Sequence, residues 1–185
     1  MKKTSTILLA FLFCAAALTL GYITLGIWGT ILFAFGFIDG ALLWLCTPEN
    51  TTWKNIRAVY IVTLILFIAH KIEEKKMDFF PALSKLTGVP VPSPFSWSAI
   101  LLNLVGATWL LIPILMTKRK SFGHFLSWTF FFSMGITELA HFIFPLFSNG
   151  SYSYFPGMAT AAVLAPVAWY GIYKLCSKNI GSSNY

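Results

Sequence analysis

Tyr60-Ile61-Val62-Thr63-Leu64-Ile65-Leu66-Phe67-Ile68-Ala69-His70-Lys71-Ile72-Glu73-Glu74 is an apolar run that closes on one histidine and two adjacent carboxylates. Its length and composition read as a membrane-spanning helix, so the polar residues at its end need a reason to be there. At i, i+3 and i+4, His70, Glu73 and Glu74 share one helix face, because 3.6 residues per turn brings those offsets together.

The rest of the chain has the same character. Of its 185 residues 57% are hydrophobic and 10% charged, and apolar runs of about 20 residues recur throughout, which is the profile of a polytopic membrane protein and not of a soluble domain. No linker rich in Gly, Ser or Pro divides the chain, so residues 1–185 are expected to form one transmembrane domain. The net charge of +7 sits in short Lys and Arg clusters at the ends of apolar segments. Topology therefore accounts for it, with no nucleic acid as partner and only a modest attraction to anionic lipid headgroups. Cys14, Cys46 and Cys176 lie in or beside the spans at no metal or redox spacing and read as small packing residues.

Six spans are expected, at about 4–22, 27–46, 57–77, 96–116, 122–147 and 155–176. They predict an all-α transmembrane bundle in the cell membrane with both termini cytoplasmic. Met1-Lys2-Lys3 ahead of residues 6–20 also has the form of a cleaved signal peptide, which would leave five spans. The apolar run continues to Cys46, however, and fits two spans joined by a tight turn in Gly21-Tyr22-Ile23-Thr24-Leu25-Gly26. Residues 78–95 contain Pro81, Pro90, Pro92 and Pro94, which predict an interfacial loop without a continuous helix, placed to act as a lid. Pro113 is expected to kink the end of the fourth span. Six spans put Lys2, Lys3, Lys54, Arg57, Lys118, Arg119, Lys120, Lys174 and Lys178 on one side, as the positive-inside rule asks. Lys71, Lys75, Lys76 and Lys85 fall on the other, partly offset by Glu73, Glu74 and Asp78.

The remaining ionisable residues concentrate on few spans. Glu138 and His141 lie on the fifth, again at i, i+3 and at a depth similar to that of His70, Glu73 and Glu74 on the third. His-x-x-Glu-Glu facing Glu-x-x-His supplies two imidazoles and three carboxylates. Asp39, well inside the second span, could add a fourth and needs an interior partner. This mixed nitrogen and oxygen set suits Zn, Fe or Mn, as one ion or two, and resembles in spacing the Glu-x-x-His device of di-metal carboxylate bundles. A plainer arrangement pairs Glu73 and Glu74 with Lys71, Lys75 and Lys76, and Glu138 with His141. Asn103 lies at a depth from which it could orient a ligand or substrate, or bond across helices. His124, in the first turn of its span beside the basic loop, suggests a capping or headgroup role. Trp53, Trp97, Tyr152 and Tyr154 read as interfacial belt residues.

His70-Lys71-Ile72-Glu73-Glu74, a later-span histidine within Glu138-Leu139-Ala140-His141, and the Pro-Gly segment Tyr154-Phe155-Pro156-Gly157-Met158-Ala159-Thr160 together resemble the bacterial integral membrane proteins named for their HXXEE motif. The resemblance covers about residues 60–173. It implies a polytopic helical bundle with a histidine and carboxylate site that binds metal or catalyses, and it supplies no substrate.

The leading expectation is a metal-dependent hydrolase, or a di-metal enzyme, acting on a lipid-like or amphipathic substrate at the outer leaflet. Its metal ligands would come from His70, Glu73, Glu74, Glu138, His141 and Asp39, with Glu73 or Glu74 as general base, and Asn103 and Tyr154 near the substrate. A proton-coupled carrier that uses Asp39, Glu73, Glu74 and Glu138 as a relay is the main rival. Haem held between His70 and His141, or a structural partner subunit, are further alternatives.

Overall fold

A computed structural model describes residues 2–148 and 151–177; Met1 and Lys178, each part of an expectation above, lie outside the described residues. The fold is an all-α bundle, with no strand among the described residues. Five continuous helical stretches are long and apolar enough to cross a membrane. The first, Thr4–Cys46, supplies two of the six helices, because Gly26 interrupts it at φ 64, ψ −156. We label its halves α1 (4–25) and α2 (27–46). The others are α3 (Trp53–Lys76), α5 (Trp97–Thr117), α6 (Ser121–Phe147) and α7 (Met158–Cys176), with the short helix α4 (Phe79–Thr87) between α3 and α5.

The turn expected at residues 21–26 is made by Gly26, whose backbone conformation is essentially reserved to glycine. From there α2 runs back along α1. Cys14 Sγ donates to Phe37 O at 3.5 Å, and Lys2 Nζ reaches Leu45 O and Thr47 O at 3.3 and 2.9 Å, so a lysine from the first helix caps the carbonyl end of the second. Gly26→Ala is expected to destabilise the protein by about 1–3 kcal/mol, read as a lower unfolding temperature in neutral detergent. An unchanged unfolding temperature would show that the hairpin tolerates a Cβ at its turn.

Most of the basic residues gather at one end of the bundle, with Lys71, Lys75, Lys76 and Lys85 at the other. Besides Lys2 at the end of α2, Ser121 Oγ donates to Glu49 Oε1 at 2.5 Å and Thr51 Oγ1 to Lys174 O at 3.1 Å, which brings the starts of α3 and α6 beside the ends of α2 and α7. It is the end expected on the cytoplasmic side by the positive-inside rule.

The core is centred on α6, which is buried almost all round from Gly123 to Gly135. In a bilayer such a helix is held by close packing more than by exclusion of water. Phe37 stacks on Trp109 (5.8 Å, 12°), Trp109 Nε1 donates to Thr129 Oγ1 at 3.2 Å, and Tyr60 OH donates to Trp109 O at 3.1 Å. On α7 the buried face is mostly small: Ala161, Leu164, Ala165, Ala168, Gly171 and Leu175. It lets α7 lie close against α3 and α6.

Two stripes on α3 decide where its polar end points. Ile61, Ile65, Ile68 and Ile72 are about half exposed on the outside of the bundle, whereas Ile56, Tyr60, Thr63, His70 and Glu74 are buried. The spacing of the second set continues one inward face. His70 and Glu74 are its last members.

The expectation for residues 78–95 is corrected in its first half. Residues 79–87 form the helix α4, entered through Asp78 in the left-handed conformation (φ 57) and closed by Gly88 (φ 71). Pro81 falls in its first turn, where a missing backbone N–H breaks no helical bond. The irregular backbone is confined to the stretch that carries Pro90, Pro92 and Pro94. Phe79 and Leu83 form the buried face of α4, together with Phe144 and Phe155 from the ends of α6 and the loop before α7. Pro113 sits where expected, in the first turn of the segment Ile112–Thr117, after a 3-10 turn over Thr108–Leu111.

Candidate metal centre

Four side chains meet near the end of the bundle opposite the lysine-rich one: His70 and Glu74 from α3, Glu138 and His141 from α6. One ligand atom of each lies within 4.8 Å of all the others. His70 Nε2 is 3.1 Å from Glu138 Oε2 and 3.3 Å from Glu74 Oε1; His141 Nε2 is 3.3 Å from each of the same oxygens. Relative exposures of 0, 7, 8 and 2% place all four out of solvent. The α6 pair owes its aim to a local break, since Ile136 departs to φ −120, ψ −50 and Thr137–Leu139 tighten into a 3-10 turn. Interrupted helices inside membranes mark sites where the backbone has been bent to present side chains.

Outer partners fix both rings. His141 Nδ1 lies 2.5 Å from Pro156 O, an acceptor, so this nitrogen carries the proton. His70 Nδ1 lies 2.8 Å from Thr160 Oγ1, and the threonine hydroxyl is itself committed as donor to Glu73 Oε2 at 2.5 Å, so His70 Nδ1 also donates. Both Nε2 atoms therefore face the carboxylates as lone pairs unless they take a second proton. Two lone pairs and two carboxylates at such spacings need positive charge among them, from a metal ion or from imidazolium protons. Two nitrogen and two oxygen donors converging on one point form a set that could hold one metal ion.

Gly157 is required by the same geometry. Its φ of 97 is left-handed, and a Cβ there would stand 2.5 Å from His141 Cε1 and 2.8 Å from His70 Cε1. The Pro-Gly segment thus passes directly over both imidazoles.

Glu73 does not join the group. Its carboxylate turns to the start of α7, which has no side-chain cap of its own because Gly157 occupies the capping position. It accepts hydrogen bonds from Gly157 N (3.1 Å), Ala159 N (3.3 Å), Thr160 N (2.8 Å), the Thr160 hydroxyl and the Tyr154 hydroxyl. A negative charge on three free amides at a helix N-terminus is a capping arrangement supplied from another helix. With both oxygens so engaged, Glu73 stands apart from the group it was expected to join. Tyr154 lies against Glu73 instead of the four-residue group, and burial together with its bond to Glu73 raises the phenol above its ordinary pKa.

Asp39 and Asn103 are also elsewhere. Gly36 of α2 lies against Ser133 and Thr137 and Gly40 against Thr129, which sets Asp39 about two turns from Glu138 toward the lysine-rich end. Asp39 is partly buried, and no hydrogen bond or ion pair joins its carboxylate to the described residues, so the interior partner expected for it is absent there. Asn103 is exposed on α5. His124 is buried at the lysine-rich end, near Glu49 and Lys2, remote from the centre. The residues whose part in the site sequence reasoning missed are Thr160 and Pro156, for which the available signal was a helix opening on Pro-Gly without a capping side chain; Lys71 meets Glu74 at 2.7 Å, a pairing that belongs to the plainer arrangement.

Compared with protein-family models, curated proteins and solved structures, the chain matches none.

Proposed function

We propose that this protein is a membrane metalloenzyme, with one divalent transition ion at His70, Glu74 and His141, that hydrolyses a lipid-like substrate in the leaflet nearer that end. The observation that carries the reading is the pair of histidines whose Nδ1 protons are both committed outward, so that both Nε2 lone pairs converge on two buried carboxylates. A bound ion would supply Lewis-acid chemistry, polarising a substrate oxygen and lowering the pKa of water. Two histidines and one carboxylate leave a further position for water or substrate, the pattern of catalytic rather than structural sites.

The carboxylates divide by their second oxygens. Glu74 Oε2 is held by Lys71 Nζ at 2.7 Å, which fixes Glu74 as a ligand through Oε1. Glu138 uses only Oε2 toward the histidines, and its Oε1 accepts no hydrogen bond from the described residues. Glu138 is accordingly the general base, taking the proton of water at Oε1. The resemblance to the HXXEE-motif proteins belongs to this reading, in which the two glutamates of the motif have separate duties.

The rivals lose their geometry. The ring centres of His70 and His141 are 4.7 Å apart, too close for a porphyrin plane to pass between them. A proton relay loses Asp39 and Glu73, and four donors within 4.8 Å of one another suit one ion better than two. Protein purified in mild detergent is expected to carry about one equivalent of a divalent transition metal by elemental analysis. Protein that carries none, and takes up none of Zn, Mn, Fe or Co on dialysis, overturns the proposal.

Thr160 gives a finer expectation. Thr160→Val removes both the acceptor for His70 Nδ1–H and the hydroxyl's bond to Glu73, leaving the backbone one, and metal affinity should fall about 10–100-fold, the usual effect of losing an outer partner of a ligand histidine. Thr160→Ser should restore it. Equal affinities for all three proteins would remove the threonine from the site.

A further inference from the structure

The geometry points to Lys71 as the anchor for a monoanionic phosphate headgroup, which makes an anionic amphiphile the substrate class; this rests on the metal reading above. The argument is one of charge and access. Glu74 and Glu138 together balance a divalent ion, and the charge of Glu73 is spent on the N-terminus of α7. That leaves the Lys71 ammonium, 2.7 Å from a ligand carboxylate, as a net positive charge beside the centre. A neutral substrate leaves this charge uncompensated at the membrane edge, whereas a phosphate monoanion matches it.

Access favours the same residue. The four donors are buried, yet the Lys71 side chain is 47% exposed. On the side of His141, a groove of about 350 Å³ between α4 and the end of α6 ends at Phe144 and Phe155, whose rings pack against the imidazole. Phe79 of α4 covers that ring as well, at 5.1 Å. On the side of α3 the exposed group is Lys71 itself: its Nζ lies over the Phe67 ring, 5.4 Å from the ring centre, and its helix neighbours Ile68 and Ile72 are each about half exposed on the lipid-facing stripe. A molecule whose chain lies along Ile61, Ile65, Ile68 and Ile72 puts its headgroup at Lys71. The lysine then exchanges part of its contact with Glu74 for the phosphate, beside a ligand carboxylate of the centre.

The test measures binding, not turnover. Cobalt-loaded protein in neutral maltoside detergent is titrated with lysophosphatidylglycerol, with a monoacylglycerol of the same chain length, and with inorganic phosphate, while the visible cobalt absorption is followed. The wild type is expected to bind the anionic amphiphile about tenfold or more tighter than the neutral one, and tighter than free phosphate, which lacks the chain. Lys71→Gln, whose amide can still donate to Glu74 Oε2, is loaded at saturating cobalt and should lose that preference even where its cobalt affinity is lower; Lys71→Arg should retain it, and Lys75→Gln, one turn further out, should be unchanged. Inorganic phosphate binding as tightly as the lysolipid would overturn the amphiphile as ligand. A Lys71→Gln protein with undiminished preference would overturn the anchor while leaving the metal centre standing. A wild type that takes up no cobalt removes the metal reading and this inference with it.

Discussion

His141→Ala will purify without metal, and its affinity for added Zn or Co will fall more than about 100-fold, beyond the loss expected for an outer partner such as Thr160. The substitution removes one of the two nitrogens directed at the carboxylates and leaves Glu138 Oε2 with a single imidazole partner, at 3.1 Å from His70. It also removes the donor that meets Pro156 O and the ring over which Gly157 passes. Some loss of stability is therefore built in, and metal content must be read on protein that remains helical and monodisperse. His70→Ala is the independent partner of this test. Its ring is fully buried and bonded to Thr160 instead of Pro156, so the two variants perturb different second contacts while removing equivalent ligands. If both retain stoichiometric metal, the four residues are a hydrogen-bonded cluster of two imidazoles and two carboxylates, and the metal lies elsewhere. Glu138→Gln is informative beside them, because a base removed from a three-ligand site leaves the metal in place.

Most of the fold was legible because a bilayer leaves a chain few choices. Apolar runs of about 20 residues must be helices, and the hairpin at Gly26, the lysine-rich end and the burial of His70 and Glu138 all follow from patterns of residue type and spacing. Legibility failed where spacing permits two outcomes. Glu73 and Glu74 are neighbours on α3, and an i, i+3, i+4 rule places both beside His70. The structure separates them by one residue's rotation, sending Glu74 to the centre of the bundle and Glu73 to α7. Nothing in the motif distinguishes them; the deciding fact is that α7 begins at a glycine and needs a carboxylate from outside. Asp39 misled for a related reason, since depth and polarity suggested a role in the centre but the register of α2 against α6 is set by close contacts at Gly36 and Gly40. In residues 78–95, four prolines were counted together, although Pro81 occupies a helix's first turn, where proline is tolerated.

The division of labour between the two glutamates can be separated by experiment, and the effects should differ in kind. Glu73→Ala removes an acceptor shared by three backbone amides and two hydroxyls at the start of α7. Losing a charged cap and leaving those amides unpaired is expected to destabilise the protein by about 2–3 kcal/mol, seen as a lower unfolding temperature in the metal-free state. Glu73→Gln keeps the acceptor oxygen but not the charge and should recover about half of this. Metal affinity should suffer no more than in Thr160→Val, because Glu73 reaches His70 only through that threonine. Glu74→Gln should act on the metal first. It withdraws a donor oxygen 3.3 Å from both histidines, so metal binding is lost whatever the stability of the metal-free protein, which also loses buried contacts between this carboxylate and the two imidazoles. A Glu73 variant that lost its metal with its unfolding temperature intact would return that residue to the ligand set. In that event the start of α7 would have to find its partner elsewhere, and the Pro-Gly segment that holds His141 Nδ1 would no longer be tied to α3 through a carboxylate.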